Sequence, residues 1–265
     1  RFPGTVISDP HAGHPGVIDD AHHVQLTYLP FLMATSATDK ERWLRALQYS
    51  ANWGMLHYGT EGGLGLLRLR AQEVRGLAHL LNVLGLAAVA TKRWEAFGLT
   101  PSQPLLSADY FYRKLENNLR WLEDVTVNSI NPLVQQFRIY PKMNLDGDSG
   151  LWEVDMVNIT LGWLARMGFT RAKTIFDWGM VGLKARASGT AGWVGPSTTA
   201  YKVKFRSSPT SPTMYMTWAD LWANAESPSS TTYVNISRGA LCLAASMGDT
   251  QTAQMAQALI PSLSY

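Results

Sequence analysis

Two junctions in the second half of this 265-residue chain constrain its fold more than any other feature. Each is a glycine, one further residue and a threonine: Gly168-Phe169-Thr170 and Gly248-Asp249-Thr250. Glycine ends helices because it adopts the left-handed conformation without steric cost, and a polar residue just after it caps a following helix. Connections this short make the two helices antiparallel neighbours. The sequence therefore predicts helical hairpins.

Apolar residues at helical spacing predict about nine helices along the chain. Their expected bounds are about 20–34, 38–58, 69–90 with an interruption at Gly85, 107–125, 151–167, 170–187, 213–225, 234–247 and 250–263. Residues 126–150, rich in turn-forming residues, are predicted to be a loop. Tyr201, Val203 and Phe205 alternate with basic residues, which predicts a strand in a small β-hairpin near 191–206.

This pattern favours an all-α fold, and more specifically an (α/α) toroid of antiparallel helix hairpins over residues 19–265. Residues 1–18 carry several Gly and Pro and are predicted to be an extended segment before the toroid. A closed toroid of six hairpins needs about twelve helices. The toroid would then be incomplete here, and the chain a fragment of a longer protein. A solenoid is the alternative, but no constant repeat period is visible.

Composition excludes several classes of function. A net charge of +3 with scattered basic residues does not favour nucleic-acid binding. No apolar run reaches the ~20 residues that a membrane span needs. The single cysteine, Cys242, lies in an apolar run and is expected to be a buried structural thiol. No cofactor or metal is predicted: His22 and His23 with Asp20 lack a second histidine pair at ligand spacing.

The N-terminal third carries all six histidines, and the first candidate site lies there. Asp20, His22 and His23 come at the start of a predicted helix, and Tyr28 follows within two turns. A helix N-terminus favours an anionic sugar carboxylate, and histidine and tyrosine can exchange a proton with it. The alternative is that Asp20 caps the helix and the histidines only satisfy local hydrogen bonds.

A second candidate site opens the third predicted helix. Gln72 and Arg75 are three residues apart and share a helix face, and Gly76 beside them permits close approach. Arginine can hold a carboxylate with two hydrogen bonds. The alternative is a structural salt bridge between helices, for which Asp20 is a candidate partner of Arg75.

A third candidate opens the fifth predicted helix with Trp152, Glu153 and Asp155. A tryptophan beside a carboxylate can hold a sugar ring and protonate its glycosidic oxygen. The alternative is two acids complementing the helix dipole over a core tryptophan. Trp218 repeats the pattern more weakly. Because the first, third and fifth helices would share one layer of a toroid, we expect their starts to form one cleft.

Several short motifs follow one another in order along nearly the whole chain. They are Asp20-Ala21-His22, Tyr28-Leu29-Pro30, Gln72-x-x-Arg75-Gly76, the stretch from Tyr110 to Trp121, Trp152-x-x-Asp155, Gly162 and Gly168-Phe169. In this order they resemble uncharacterised bacterial and prophage-associated proteins. More distantly, they are similar to the C-terminal α/α-toroid domain of rhamnogalacturonan-lyase-like proteins.

The resemblance implies polysaccharide cleavage by β-elimination. It implies that Arg75 binds the uronate and that His22 or His23, with Tyr28, moves the proton. It also implies a β-rich domain of the same longer protein as a partner, without which a catalytic centre shared between the two domains is incomplete.

We therefore expect a carbohydrate-active domain, foremost a lyase acting on an acidic polysaccharide or oligosaccharide. An extracellular, periplasmic or virion-associated location suits such a substrate. Two alternatives stay open. One is a glycoside hydrolase in which Asp155 or Glu153 acts with Asp20. The other is a non-catalytic structural or glycan-binding domain of a phage or cell-surface assembly.

Overall fold

The computed structural model describes residues 27–57, 74–140, 148–189, 202–208, 211, 213–226 and 231–259. Of these residues, 73% are helical, so the all-α prediction is confirmed. The helices are α1 (Tyr28–Met33), α2 (Ala37–His57), α3 (Val74–Ala96), α4 (Ala108–Val125), α5 (Pro132–Phe137), α6 (Leu151–Arg166), α7 (Thr170–Ala187), α8 (Trp218–Ala223), α9 (Thr231–Ser246) and α10 (Thr250–Ala258).

Five helices differ from the sequence prediction: α9 begins three residues earlier, at Thr231, α10 ends at Ala258 rather than near 263, and α3, α5 and α8 differ as follows. α3 is continuous through Gly85 and ends at Ala96, because the buried apolar residues around that glycine outweigh its helix penalty of about 1 kcal/mol. α5 lies within the predicted loop, where the Asn131 side chain accepts the Leu133 N–H at 3.0 Å and caps it. α8 begins only at Trp218, where the Thr217 hydroxyl accepts the Asp220 N–H and caps the helix.

The small sheet also differs from the prediction. Its strands are β1 (Asp148–Ser149), β2 (Lys202–Lys204) and β3 (Ala225–Glu226), in the order β1-β2-β3 and antiparallel throughout. Both edges of β2 are therefore occupied by strands distant in the sequence, and β2 does not pair with a neighbour in a hairpin near 191–206. β1 leads directly into α6, and β3 is followed closely by α9. Pairing between distant strands leaves no local signal in the sequence.

Residue contacts divide the chain into two compact units. The first contains α1, α2, α3 from Gly76 onward and α4 as far as Trp121. The second contains the first two residues of α3, the end of α4, and α5 to α10 with the sheet. In the second unit α6 packs against both α7 and α9, and α9 packs against α10.

The two predicted junctions share the geometry of their glycine stop in the second unit, but only Asp249 caps the following helix with its side chain. The polar cap predicted for α7 was wrong, because its N-cap residue is Phe169 and makes no side-chain hydrogen bond to the helix. Gly168 and Gly248 have φ of 98° and 100°, in the left-handed region that glycine favours. The N–H groups of Gly168 and Phe169 donate to Ala165 and Leu164, and those of Gly248 and Asp249 donate to Ala245 and Ala244. α6 and α9 are also both 16 residues long. The hairpins α6–α7 and α9–α10 therefore repeat one another.

Glycines lie where α6 packs against α9, and the closest approach depends on Gly162. A Cβ on Gly162 would lie 2.4 Å from the Leu243 side chain of α9, and one on Gly239 would lie 3.2 Å from Ile159.

Cys242 lies between Leu241 and Leu243, which are buried, yet its own side chain is exposed. The expectation of a buried thiol was wrong because successive residues of a helix point in different directions.

Helix α3 is the one described helix that is long and apolar enough to cross a membrane. Its most apolar stretch has a mean hydropathy of 1.5, and 72% of that stretch is buried within the protein. Core helices of globular domains commonly share both properties. The expected absence of a membrane span stays a prediction.

In the first unit, α2 holds the segment between α3 and α4 through a buried carboxylate. Glu41 is 8% exposed and accepts the Ser102 backbone N–H at 2.9 Å, the Ser102 hydroxyl at 2.5 Å, and the Arg45 guanidinium. Burial by itself raises the pKa of Glu41. The hydrogen bonds from Ser102 and Arg45 outweigh it and lower that pKa from 4.5 to about 2.

The lowered pKa predicts how stability depends on pH. Since the folded-state pKa lies below the unfolded one, the stabilisation is present above pH 4.5 and is lost as pH falls towards 2. Glu41→Gln should lower the melting temperature near neutral pH. Between pH 4.5 and about 2, the melting temperature of this variant should fall less steeply than that of wild type. The control Asp109→Asn removes the exposed ion pair with Arg113, and its melting temperature should decrease at low pH as that of wild type does. Melting temperatures measured by circular dichroism over this pH range test the prediction. If the melting temperature of Glu41→Gln falls with pH as steeply as that of wild type, the prediction is wrong.

Candidate functional site

The starts of α3, α6 and α9 meet in the second unit. The backbone N–H of Val74, the first residue of α3, donates to Glu153 Oε2 at 3.2 Å. The Arg75 guanidinium carbon lies over the Trp152 ring, 5.3 Å from its centre. Trp152 in turn stacks on Tyr233 of α9, with ring centres 4.8 Å apart and planes at 28°. We call Arg75, Trp152, Glu153 and Tyr233 the helix-start cluster.

Local sequence explains how α6 supplies its two members of this cluster. Gly150 is the residue before α6, and a Cβ there would lie 3.0 Å from Trp152 Nε1 and 3.2 Å from the Glu153 side chain. The absence of a Cβ lets both side chains fold back over the helix start. Trp152 and Glu153 are each 7% exposed, whereas Arg75 and Tyr233 are partly exposed. A ligand would therefore meet the arginine and the tyrosine first.

The electrostatics of the cluster combine a cation held on an aromatic ring with an anchored carboxylate. A guanidinium over tryptophan is attracted to the ring face, and its N–H donors lie in its own plane, suited to a carboxylate or phosphate. Glu153 lies at the N-terminus of α3, where the helix dipole stabilises its negative charge. The arrangement can bind an anionic group on a ligand that also presents a flat or apolar face to Tyr233.

Asp155, one turn further along α6, has a different environment. It is fully buried, and both oxygens accept hydrogen bonds from Arg186 of α7, at 2.7 and 3.4 Å. Ser237 of α9 donates its hydroxyl to the same carboxylate. An acid that protonates a glycosidic oxygen must reach its substrate. This environment favours a structural role for Asp155, which joins three helices, and we leave it out of the site proposed below.

A second buried hydrogen bond lies near this ion pair. The Tyr140 hydroxyl donates to Asn158 Oδ1 at 2.6 Å, and both residues are at most 1% exposed. Burial raises the pKa of Tyr140, and the negative charge of Asp155 raises it further. Tyr140 therefore stays protonated near neutral pH and acts as a fixed hydrogen-bond donor.

Two other predicted site residues, Trp218 and Tyr28, lie within the described part of the chain. Trp218 packs edge-on against Phe137 of α5, with ring centres 4.9 Å apart. Tyr28 is the first residue of α1 and lies in the first unit, with its ring 6.5 Å from that of Phe31. The remaining four lie outside the residues that the structure describes: Asp20, His22, His23 and Gln72.

The sequence predicted that Arg75 and Trp152 lie in one cleft, but Tyr233 was not predicted as a site residue. The signal was available, because the same rule that selected polar and aromatic helix starts applies to Thr231-Thr232-Tyr233 at the start of α9. Arg186 and Ser237, which enclose Asp155, carried no such signal. Each lies within a helix, and only the tertiary packing directs them to one carboxylate.

Among the described side chains, no group of three or more His, Cys, Asp or Glu is placed to hold a metal ion. No family model, no curated protein and no solved structure matches the chain. The resemblance to rhamnogalacturonan-lyase-like toroid domains therefore stays a prediction made from the sequence.

Proposed function

We propose that this protein is a carbohydrate-active domain that binds an acidic glycan at the helix-start cluster and cleaves it by β-elimination. The single observation that supports this best is the position of Arg75 over Trp152, beside the partly exposed Tyr233. A uronate residue has a carboxylate for the arginine and an apolar ring face for the aromatic side chain.

The chemistry assigned to Arg75 follows from the reaction. In β-elimination a base removes the proton next to the uronate carboxyl, and the glycosidic oxygen on the neighbouring carbon leaves. A guanidinium on the carboxylate stabilises the negative charge that develops there. The resemblance implies His22 or His23 with Tyr28 as proton carriers, and this assignment stays a prediction made from the sequence.

We also propose that the helical hairpins form part of an α/α toroid. In such a toroid, alternate helices run parallel in one layer and bring their N-termini to one face. The meeting of the α3, α6 and α9 starts, and the repeated hairpins α6–α7 and α9–α10, support this arrangement.

Arg75→Ala tests the proposed function. With a panel of polyuronates, wild type should release products that absorb in the ultraviolet band of unsaturated uronates. The variant should lose about 100-fold in kcat/KM, as when one transition-state donor is removed, and Arg75→Lys should recover part of it. Arg166→Ala is a matched control, because Arg166 lies at a similar 5.4 Å over Trp163, and it should keep wild-type activity.

Three outcomes would contradict parts of this proposal. Full activity in Arg75→Ala would show that the helix-start cluster is not the substrate-binding site. New reducing ends without the ultraviolet band would favour the hydrolase alternative. Saturable glycan binding with no turnover, lost in Arg75→Ala and retained in Arg166→Ala, would favour the non-catalytic glycan-binding alternative.

A further inference from the structure

A stripe of accessible apolar side chains runs along α6 from the helix-start cluster. Spacings of four, three and four residues place its members on one face of the helix: Trp152, Met156, Ile159 and Trp163. Trp152 is 7% exposed, Met156 and Ile159 are partly exposed, and Trp163 is 47% exposed. Accessibility therefore increases along α6 away from the cluster, and the stripe stays apolar as far as Trp163.

α9 lies beside this stripe and runs in the same direction as α6. At the helix starts the rings of Trp152 and Tyr233 stack, and at the helix ends Arg166 donates to the Ser246 hydroxyl at 3.1 Å. Gly239, near the middle of α9, is partly exposed and has no side chain to cover the surface between the two helices. We call this surface the α6–α9 seam, and its members are Met156, Ile159, Trp163, Ile236 and Gly239.

Neither helix places an accessible carboxylate on the α6–α9 seam. The two acids of α6, Glu153 and Asp155, are buried, and α9 contains no Asp or Glu. Arg75 lies over Trp152 at the start of the seam. A polyanion that extends from Arg75 along the seam therefore meets no repelling charge from α6 or α9.

The α6–α9 seam is long enough for several sugar residues. At a rise of about 1.5 Å per residue, Trp163 lies about 16 Å along α6 from Trp152. This distance is several times the width of one sugar ring. An oligosaccharide held by Arg75 therefore reaches Trp163 only when consecutive sugars lie along the seam.

We propose that the α6–α9 seam binds consecutive sugar residues of an acidic oligosaccharide, with one uronate at Arg75 and a distal sugar ring on Trp163. The inference rests on the proposed function and adds a preference for long substrates over short ones. The apolar side chains of the seam pack against the apolar faces of the sugar rings, and the sugar hydroxyl groups stay hydrated because the seam is open to solvent. The Arg166 guanidinium lies over the Trp163 ring, but Trp163 remains 47% exposed for a ligand.

The first test compares ligand lengths on the wild-type protein. The ligands are the disaccharides and hexasaccharides of galacturonate, guluronate and glucuronate. Surface plasmon resonance over immobilised protein gives their Kd values, while the flow replaces any ligand that is cleaved. In at least one series the hexasaccharide should bind roughly tenfold or more tightly than the disaccharide, because only the hexasaccharide reaches Trp163. Equal affinity for both lengths in every series that binds would overturn the inference.

The second test locates the distal sugar with variants. Trp163→Ala should weaken binding of the hexasaccharide about fivefold to tenfold and leave the disaccharide unchanged, whereas Arg75→Ala should weaken both. Trp163→Phe keeps an aromatic ring and should recover most of the loss. Phe97→Ala is the matched control, because Phe97 is a 56% exposed aromatic residue of the first unit, and this variant should bind both lengths as wild type does.

Failure of the seam and failure of the proposed function give different results. If the oligosaccharides bind through Arg75 but Trp163→Ala weakens both lengths equally or neither, the seam is overturned and the helix-start cluster keeps its role. If neither length binds in any series, the proposed function fails and the inference fails with it. The length comparison on wild type needs no variant, so it decides the inference even if Trp163→Ala does not fold.

Discussion

Replacing Asp155 by alanine should lower the free energy of unfolding by about 3–5 kcal/mol, because Asp155 belongs to the most deeply buried ion pair among the described residues. Arg186, 2% exposed, would keep its positive charge in the core without the carboxylate that neutralises it. The Ser237 hydroxyl would lose its acceptor at the same time. Urea denaturation followed by circular dichroism measures the loss.

Two variants separate the charge from the other contributions. Ser237→Ala removes one hydrogen bond to Asp155 and should cost about 1 kcal/mol. Asp109→Ala breaks the exposed ion pair with Arg113 and should cost no more than about 1 kcal/mol. An Asp155→Ala protein of wild-type stability would contradict the structural role. An Asp155→Asn protein that folds with wild-type stability but no longer cleaves glycan would return Asp155 to the catalytic role first predicted.

Gly179→Ala should destabilise the protein by about 1–3 kcal/mol, even though alanine is the better helix former. A Cβ at this position of α7 would lie 2.2 Å from Asn158 Oδ1 and 2.8 Å from the Tyr140 hydroxyl oxygen. Both atoms belong to one buried hydrogen bond, so α6 and α7 would have to move apart or the bond would have to break.

Gly239→Ala is the matched control for this prediction. Its Cβ would meet only the tip of Ile159, at 3.2 Å, and that side chain can shift. The helix propensity of alanine then makes the change close to neutral or stabilising by up to about 1 kcal/mol. Thermal unfolding of both variants tests the pair. Equal melting temperatures for Gly179→Ala and wild type would contradict the close approach of α6 and α7.

The long helices could be predicted from sequence because their signals are local. α4 and α7 agree with the predicted bounds to within about one residue. Ser107 accepts the Tyr110 N–H and caps α4, and Gly168 and Gly189, both with positive φ, lie on either side of α7. The pairing of β1 and β3 with β2 could not be predicted in this way. It depends on residues more than 20 positions apart that only the packing brings together.

The junctions at Gly168 and Gly248 could be predicted from their local sequence, but a third glycine stop of the same kind, Gly98, was not predicted. Gly98, Gly168 and Gly248 end α3, α6 and α9, each with a positive φ, but they are 70 and 80 residues apart. A search for one constant period does not detect two different spacings. The local sequences Phe-Gly-Leu-Thr, Met-Gly-Phe-Thr and Met-Gly-Asp-Thr at these glycines carry the similarity instead.

The candidate site was predictable in part for the same reason. Arg75 and Trp152 were selected because each opens a helix, and helix starts on one layer converge. That rule concerns position and says nothing about burial. It therefore could not distinguish Trp152, which meets Arg75, from Asp155, which the core encloses with Arg186.

The central claim is that the starts of α3, α6 and α9 form one binding site for an acidic glycan. A double-mutant cycle of Arg75→Ala and Tyr233→Ala tests it, with the Kd for a uronate oligosaccharide as the measured quantity. If both side chains serve one site through Trp152, the two losses of binding free energy should deviate from additivity by about 0.5–3 kcal/mol. Strictly additive losses, or wild-type affinity in either single variant, would contradict the claim.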